Sequence, residues 1–349
     1  MSERRVISVT QNVEFLTDHI PEPGEVFEIV PGIQWIRMPL PFQLNHINLW
    51  LIEEEDGWAL IDCGINDERT KDLWRGILGQ VLNGKPLTKI ICTHAHPDHI
   101  GLAGWLHAEY GAELVISREE WTFGRMVSTG GLKDVEAYNK YFLQIGCAEE
   151  DLEDYCAHIM TADKLYCDVP HRYRRLREDR TVTIGGKSWQ VIVGLGHAME
   201  HVCLYCAESN ILIAGDQVLP KITPTILVHA NEPNANPLLD FLEVMKNCVI
   251  CRKTSRSYRA TISLSPASTR DWTTILPITR NALRLFWLLV MRRLMDWKSL
   301  GRFSPKTWIF TVSFLQPARR CRIFGIWSMR VSSSAATTRT VSSATSVFD

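Results

Sequence analysis

Residues 248–349 contain no glutamate, and no histidine follows His229. That stretch holds only two of the 21 glycines and three of the 39 acidic residues, against 17 of the 38 lysines and arginines. Net charge is therefore −15 for residues 1–247 (21 basic, 36 acidic) and +14 for residues 248–349, although the whole chain stands at −1. Near-balance over the whole chain does not suggest a polyanion binder, so nucleic acid is not an expected partner. No run of 18 apolar residues occurs, and the strongest stretch, Leu283–Met291, is interrupted by Arg284. A membrane-spanning helix is excluded on that count. The opening Met-Ser-Glu-Arg-Arg leads into polar sequence without an apolar segment, so no secretory leader and a cytoplasmic location are expected. The ten cysteines are then expected to be reduced.

The first 247 residues alternate strand and helix signals. Ile33–Pro39, Ile47–Glu53 and Trp58–Asp62 read as strands, the last two joined by the turn Glu54-Glu55-Asp56-Gly57. Asp67–Leu82 carries Leu73, Trp74, Ile77, Leu78 and Val81 at helical spacing, and Gly84 and Pro86 stop it. Lys89–Cys92 reads as a buried strand, Ile100–Tyr110 as a helix and Glu113–Ile116 as a strand. Residues 119–164 read as a helical insertion. Strands return at Thr181–Ile184, Ser188–Val193, His201–Ala207 and Asn210–Ala214. The alternation points to an α/β sandwich.

Polar residues gather where these strands end. Thr93-His94-Ala95-His96-Pro97-Asp98-His99 follows the strand at Lys89–Cys92. Four ligand-type side chains in six residues diverge too much to reach one ion, but they can serve two ions a few ångströms apart. Imidazole and carboxylate suit zinc and its borderline neighbours. The competing reading is a polar helix start, with Asp98 capping the helix at Ile100. Gly196–His201 follows another strand, and Asp216 and Asp62 each stand directly after an apolar strand, where ligands of open sheets collect.

Taken in order, Leu60–Gly64, Thr93–His99, Gly196–His201 and Gly215–Asp216 resemble the metallo-β-lactamase superfamily over roughly residues 28–245. The segment Gln217–Asp240, with Val218–Pro224 and Glu232–Pro237, resembles a bacterial, glyoxalase II-like branch of that superfamily. The resemblance implies an αβ/βα sandwich of two mixed sheets flanked by helices, and two Zn(2+), with manganese or iron as alternatives. His94, His96 and His197 resemble the first site's ligands, Asp98 and His99 those of the second, and Asp216 the bridging carboxylate. Asp62 resembles the acid that orients a ligand histidine from behind. His201 is expected to brace its loop. A bridging hydroxide would act as the nucleophile on an ester, thioester or lactone carbonyl of a small acyl substrate, with Asp98 handling the proton. A phosphodiesterase or nuclease, a β-lactamase, and a catalytically impaired binding protein remain as alternatives.

The pattern breaks once. The resemblance calls for a last histidine 45–50 residues after the bridging carboxylate and a small helical, winged-helix-like unit. Residues 248–349 supply instead a basic, Ser/Thr-rich tail with little periodicity, expected to lack a cooperative core. A frameshift in the underlying reading accounts for the missing histidine and the composition change together; a basic nucleic-acid arm is the rival. His229, only thirteen residues after Asp216, is a poor replacement. Two weaker signals remain. Cys203/Cys206 and Cys248/Cys251 form paired CxxC sets, but strand alternation puts Cys203 and Cys206 on opposite faces. Arg172, Arg174, Arg175, Arg177 and Arg180 form a basic run, read as a solvated loop or as a holder of an anionic group. In the insertion, Trp121, Phe123, Tyr138, Tyr141 and Phe142 are read as core or as the wall of an apolar pocket.

Overall fold

The computed structural model describes residues 17–42, 44–219, 224–247 and 275–277. Two sheets stack face to face. The first has seven strands in sequence order: β1 (Val26–Val30), β2 (Ile33–Pro39), β3 (His46–Glu54), β4 (Gly57–Ile61), β5 (Leu87–Ile91), β6 (Glu113–Ile116) and β7 (Arg174–Arg175). The pairs from β1 to β4 are antiparallel and those from β4 to β7 are parallel. The second sheet contains β8 (Thr181–Ile184), β9 (Lys187–Gly194), β10 (His201–Cys206), β11 (Ile211–Ile213) and β12 (Ile275–Pro277), all antiparallel. The sandwich expected from the sequence is present, with mixed pairing in the first sheet.

Alternating side chains build the layers. Trp35, Trp50, Ile52, Ala59 and Ile61 of the first sheet meet Trp189, Val191, Val202 and Leu204 of the second in one buried cluster. The opposite face of the first sheet (Ile36, Met38, Leu49, Leu51, Leu60) packs on α1 (Glu68–Val81), α2 (Pro97–Ile100) and α3 (Ala103–Tyr110). Trp74 of α1 is fully buried there, and its indole N–H donates to Cys63 O at 2.8 Å. The outer face of the second sheet, with Cys203 and Leu212, is covered by Phe241 and Met245 of α7 (Pro237–Asn247). Cys203 and Cys206 do lie in different clusters on opposite faces. The 119–164 insertion folds as α4 (Arg118–Ser128), α5 (Val135–Gln144) and α6 (Leu152–Met160).

Several boundaries differ from the expectation for physical reasons. The helix expected from Ile100 opens at Pro97 and is interrupted at Gly101–Leu102. A Cβ on Gly101 would lie 2.2 Å from Pro97 O and 2.8 Å from Gly64 O, so backbone segments pass too closely there for any side chain. Asp98 does not cap this helix. His96 occupies the cap position and Asp98 stands inside the first turn, leaving its carboxylate available elsewhere. Strand β1 and helix α7 went unrecognised. Two residues of the arginine run form β7, an edge strand where a loop was expected. Most of the tail, with Cys248 and Cys251, lies outside the described residues; its described part, β12, pairs with β11.

Candidate metal centre

Strand ends deliver the site. Asp62 follows β4 in a left-handed conformation, φ 56°. Such backbone is uncommon outside glycine but tolerated by Asp, and it concentrates at functional sites. The turn aims the carboxylate into the loop after β5. Asp62 Oδ1 accepts from Thr93 N–H at 2.7 Å; Oδ2 accepts from Thr93 Oγ1–H at 2.8 Å and faces His99 Nδ1 at 2.8 Å. A carboxylate only accepts, so His99 Nδ1 carries a proton, and Nε2 is the atom that can offer a lone pair to an ion. Thr93 has spent its one hydrogen on Asp62, so His94 Nδ1, 3.0 Å away, donates to the threonine oxygen and His94 Nε2 also keeps a lone pair. His197 Nδ1 faces Thr225 O at 2.8 Å, which fixes the same tautomer there.

These lone pairs converge. His94 Nε2 lies 2.8 Å from His96 Nδ1 and 3.2 Å from His197 Nε2. The three offer ligand atoms within 4.8 Å of one another. Nitrogen lone pairs so close repel unless a cation or proton lies among them, and burial holds His94, His96 and His197 below the usual imidazole pKa, which disfavours the proton. This donor set fits a divalent cation of the zinc type.

Beside it, His99 Nε2 is buried without a hydrogen-bond partner. It stands 3.6 Å from Asp98 Oδ2 and 3.6 Å from Asp216 Oδ1, while Asp216 Oδ2 faces His197 Nε2 at 3.7 Å. One carboxylate thus turns an oxygen toward each lobe. His94, His99 and Asp216 also meet the 4.8 Å distance as a group. His94 belongs with the first lobe, because Nδ1 is engaged by Thr93 and Nε2 points at His96 and His197. Asp98 falls outside both of these groups but within reach of His99. Burial would depress the His99 pKa, yet Asp62, Asp98 and Asp216 together raise it well above the usual value. Asp98 is pushed up, chiefly by burial and also by Asp216. For Asp216, burial is outweighed by the surrounding histidines, and its pKa is lowered.

His201 contacts both the Asp216 turn and His94. Its Nε2 accepts from Asp216 N–H at 3.1 Å, and its ring stacks on His94 with centroids 4.7 Å apart. Gly215 makes room for this, since a Cβ there would lie 2.7 Å from the His201 ring. Glu120 was not singled out from the sequence. This buried α4 carboxylate accepts from Ala95 N–H and Glu200 N–H, both at 2.8 Å, tying the two histidine loops together. A lone glutamate in an acidic helix start gives no signal of that role. Phe123 reaches His229, ring centroids 6.0 Å apart, and Trp121 stacks on Tyr173 instead of facing the site. His229 joins neither ligand group among the described residues. Burial lowers its pKa.

Residues 43–249 match the sequence profile of the metallo-beta-lactamase superfamily, more than half of the chain. The chain belongs to this superfamily. A beta-lactamase domain protein from Burkholderia ambifaria is 38% identical with a TM-score of 0.60, over 66% of this chain and 67% of that one. A metallo-beta-lactamase family protein from Thermus thermophilus shares the fold, with a TM-score of 0.61 at 24% identity over 78% of this chain and 83% of the other. "Probable metallo-hydrolase YqjP" of Bacillus subtilis is 25% identical over 227 residues, 59% of this chain and 64% of that protein. "Exodeoxyribonuclease WalJ" of Streptococcus pneumoniae is 25% identical over 170 residues, 47% of this chain and 58% of that protein. The chain thus spans less than two thirds of the length of these curated relatives. Within the superfamily the glyoxalase II-like branch is not singled out by these matches.

Proposed function

We propose that this chain is a metal-dependent hydrolase of ester, thioester or lactone carbonyls in small acyl substrates, carried by residues 1–247. The observation that supports this reading is the two-lobed ligand set joined by Asp216. His94, His96 and His197 would hold one ion; His99, Asp98 and Asp216 would hold a second. Zinc fits the nitrogen-rich first lobe, and manganese or iron would fit the oxygen-richer second. When bound, such ions acidify water and polarise a carbonyl oxygen.

The chain's own groups do the rest. Asp62 fixes the His99 tautomer, Thr225 fixes that of His197, and Thr93 fixes that of His94, so the ligand geometry is set before substrate arrives. Asp98, with its raised pKa and partial exposure, can receive a proton at Oδ2 and return it to a leaving group. The charge of −15 over residues 1–247 favours a small acyl substrate over a long polyanion. No helix among the described residues is long and apolar enough to cross a membrane, and a cytoplasmic location fits the same reading.

Phosphodiester cleavage is the second reading, favoured by the similarity to the exodeoxyribonuclease. Initial rates on a thioester, a lactone, a β-lactam and bis-p-nitrophenyl phosphate separate the two. The thioester or lactone should be hydrolysed fastest by the metal-loaded chain. Preference for the phosphodiester would replace the proposal with the second reading.

A further inference from the structure

The two sheets meet at a second polar feature that the hydrolase chemistry leaves unused. Strands β7 and β8 are the edge strands of their sheets, and the chain passes from one to the other through residues 176–180. A cavity of about 400 Å³ opens there, lined among others by Lys89, Arg174, Arg175, Arg177, Arg180 and Glu54. Five basic residues and one acidic residue contribute to this lining, and Arg177 and Arg180 are exposed. None of the six metal-ligand residues lines it.

Three of the cations are occupied. Lys89 Nζ lies 2.7 Å from Glu54 Oε1, Arg174 is 2.6 Å from Glu113, and Arg175 is 3.7 Å from Glu200. Arg177 and Arg180 have no ion-pair partner among the described residues. They end a tight turn in which Arg180 N–H donates to Arg177 O at 3.2 Å and Asp179 takes φ 57°. Glu178 and Asp179 occupy the middle of that turn but do not line the cavity. Arg177 and Arg180 thus lack a carboxylate partner where the other three cations have one, and an entering anion would supply it.

We propose that this cavity binds a small phosphate-bearing molecule through Arg177 and Arg180. Guanidinium forks match phosphate oxygens two at a time, and the cavity has the volume of a small-molecule site. A long nucleic acid would meet the acidic remainder of the domain. A small anion responds chiefly to charges within a screening length of about 8–10 Å. The competing role for these charges is to guard the exposed edges of β7 and β8 against pairing with another sheet.

Calorimetric titration of the full, metal-loaded chain with inorganic phosphate at constant ionic strength decides the matter. The expected result is saturable binding that Arg177→Ala/Arg180→Ala weakens by about tenfold or more. His94→Ala, which strips the metal centre, should leave this binding unchanged. The proposal is overturned by equal affinity in the double variant, or by loss of binding in His94→Ala, which would put the phosphate on the metal centre. It is also overturned if phosphate fails to saturate while a single-stranded oligonucleotide binds through the same arginines. The hydrolase reading is not at stake in either arm.

Discussion

The two lobes of the metal centre are built to different degrees of completion. The first draws three imidazoles from two loops, and its nitrogens already stand 2.8 and 3.2 Å apart in His94, His96 and His197. The second relies on a single imidazole, His99, whose Nε2 finds two carboxylate oxygens at 3.6 Å and no hydrogen-bond partner. The difference follows from where the ligands sit in sequence. Everything the first lobe needs lies between residues 94 and 197. The family resemblance implies one more histidine for the second, and no histidine follows His229. An ion in the first lobe should therefore be held tightly, and an ion in the second loosely.

Breaking the stronger lobe should have the largest effect. His94→Ala or His197→Ala should remove the tightly held ion and abolish hydrolysis, read as metal content by mass spectrometry and as turnover. Wild-type metal content in both variants would contradict the assignment. Asp62→Asn acts on the weaker lobe, because an amide nitrogen can face His99 Nδ1 and disturb its tautomer. Affinity for the second ion should fall about 10–100-fold, and that for the first ion less, because Asp62 reaches His94 only through Thr93, as measured by titration with a metal-sensitive dye.

Glu120→Gln probes what the lobes share. Its carboxylate accepts from both loops, and a glutamine would turn one NH2 toward a backbone N–H. A stability loss of about 1–3 kcal/mol is expected in urea denaturation, with both ions weakened together. A variant as stable as wild type would show that the loops need no tie. The pH dependence of the metal-free chain should be gentler. Burial lowers the pKa of His94, His96, His197 and His201, so the unfolded chain binds more protons below about pH 6.5 and stability falls as pH drops through that value. His99, raised by its carboxylate neighbours, contributes the opposite sign: its stabilisation is present at low pH and lost as pH rises through its folded value. His229, also lowered by burial, acts with those four, while the raised carboxyls of Asp98 and Glu120 act with His99. Urea midpoints should decrease from pH 7 to pH 5, and an increase would show that the raised groups outweigh the buried neutral histidines.

Much of this site was legible in the sequence because ligand residues cluster in short motifs after apolar strands. Thr93–His99 and Asp216 stand where the alternating pattern places strand ends, and Asp62 follows β4 as read. Roles that depend on three-dimensional approach were not legible. Glu120 is 25 residues from Ala95 and 80 from Glu200, and nothing in α4 distinguishes it from Glu119 beside it. The break at Gly101 arises from a backbone close to residue 64, which no local propensity reports. Strand β7 has only two residues, both arginine, and parallel pairing with β6 overrides a composition that reads as loop. The arginine run makes a wall of a cavity only because two sheet edges meet there.

Metal stoichiometry after exhaustive dialysis tests the contrast between the lobes most directly. The first lobe should retain its ion and the second should release it, giving close to one metal per chain, with hydrolysis restored by added zinc or manganese. Two ions per chain after dialysis, with full activity and no response to added metal, would contradict the account and require another residue to complete the second lobe.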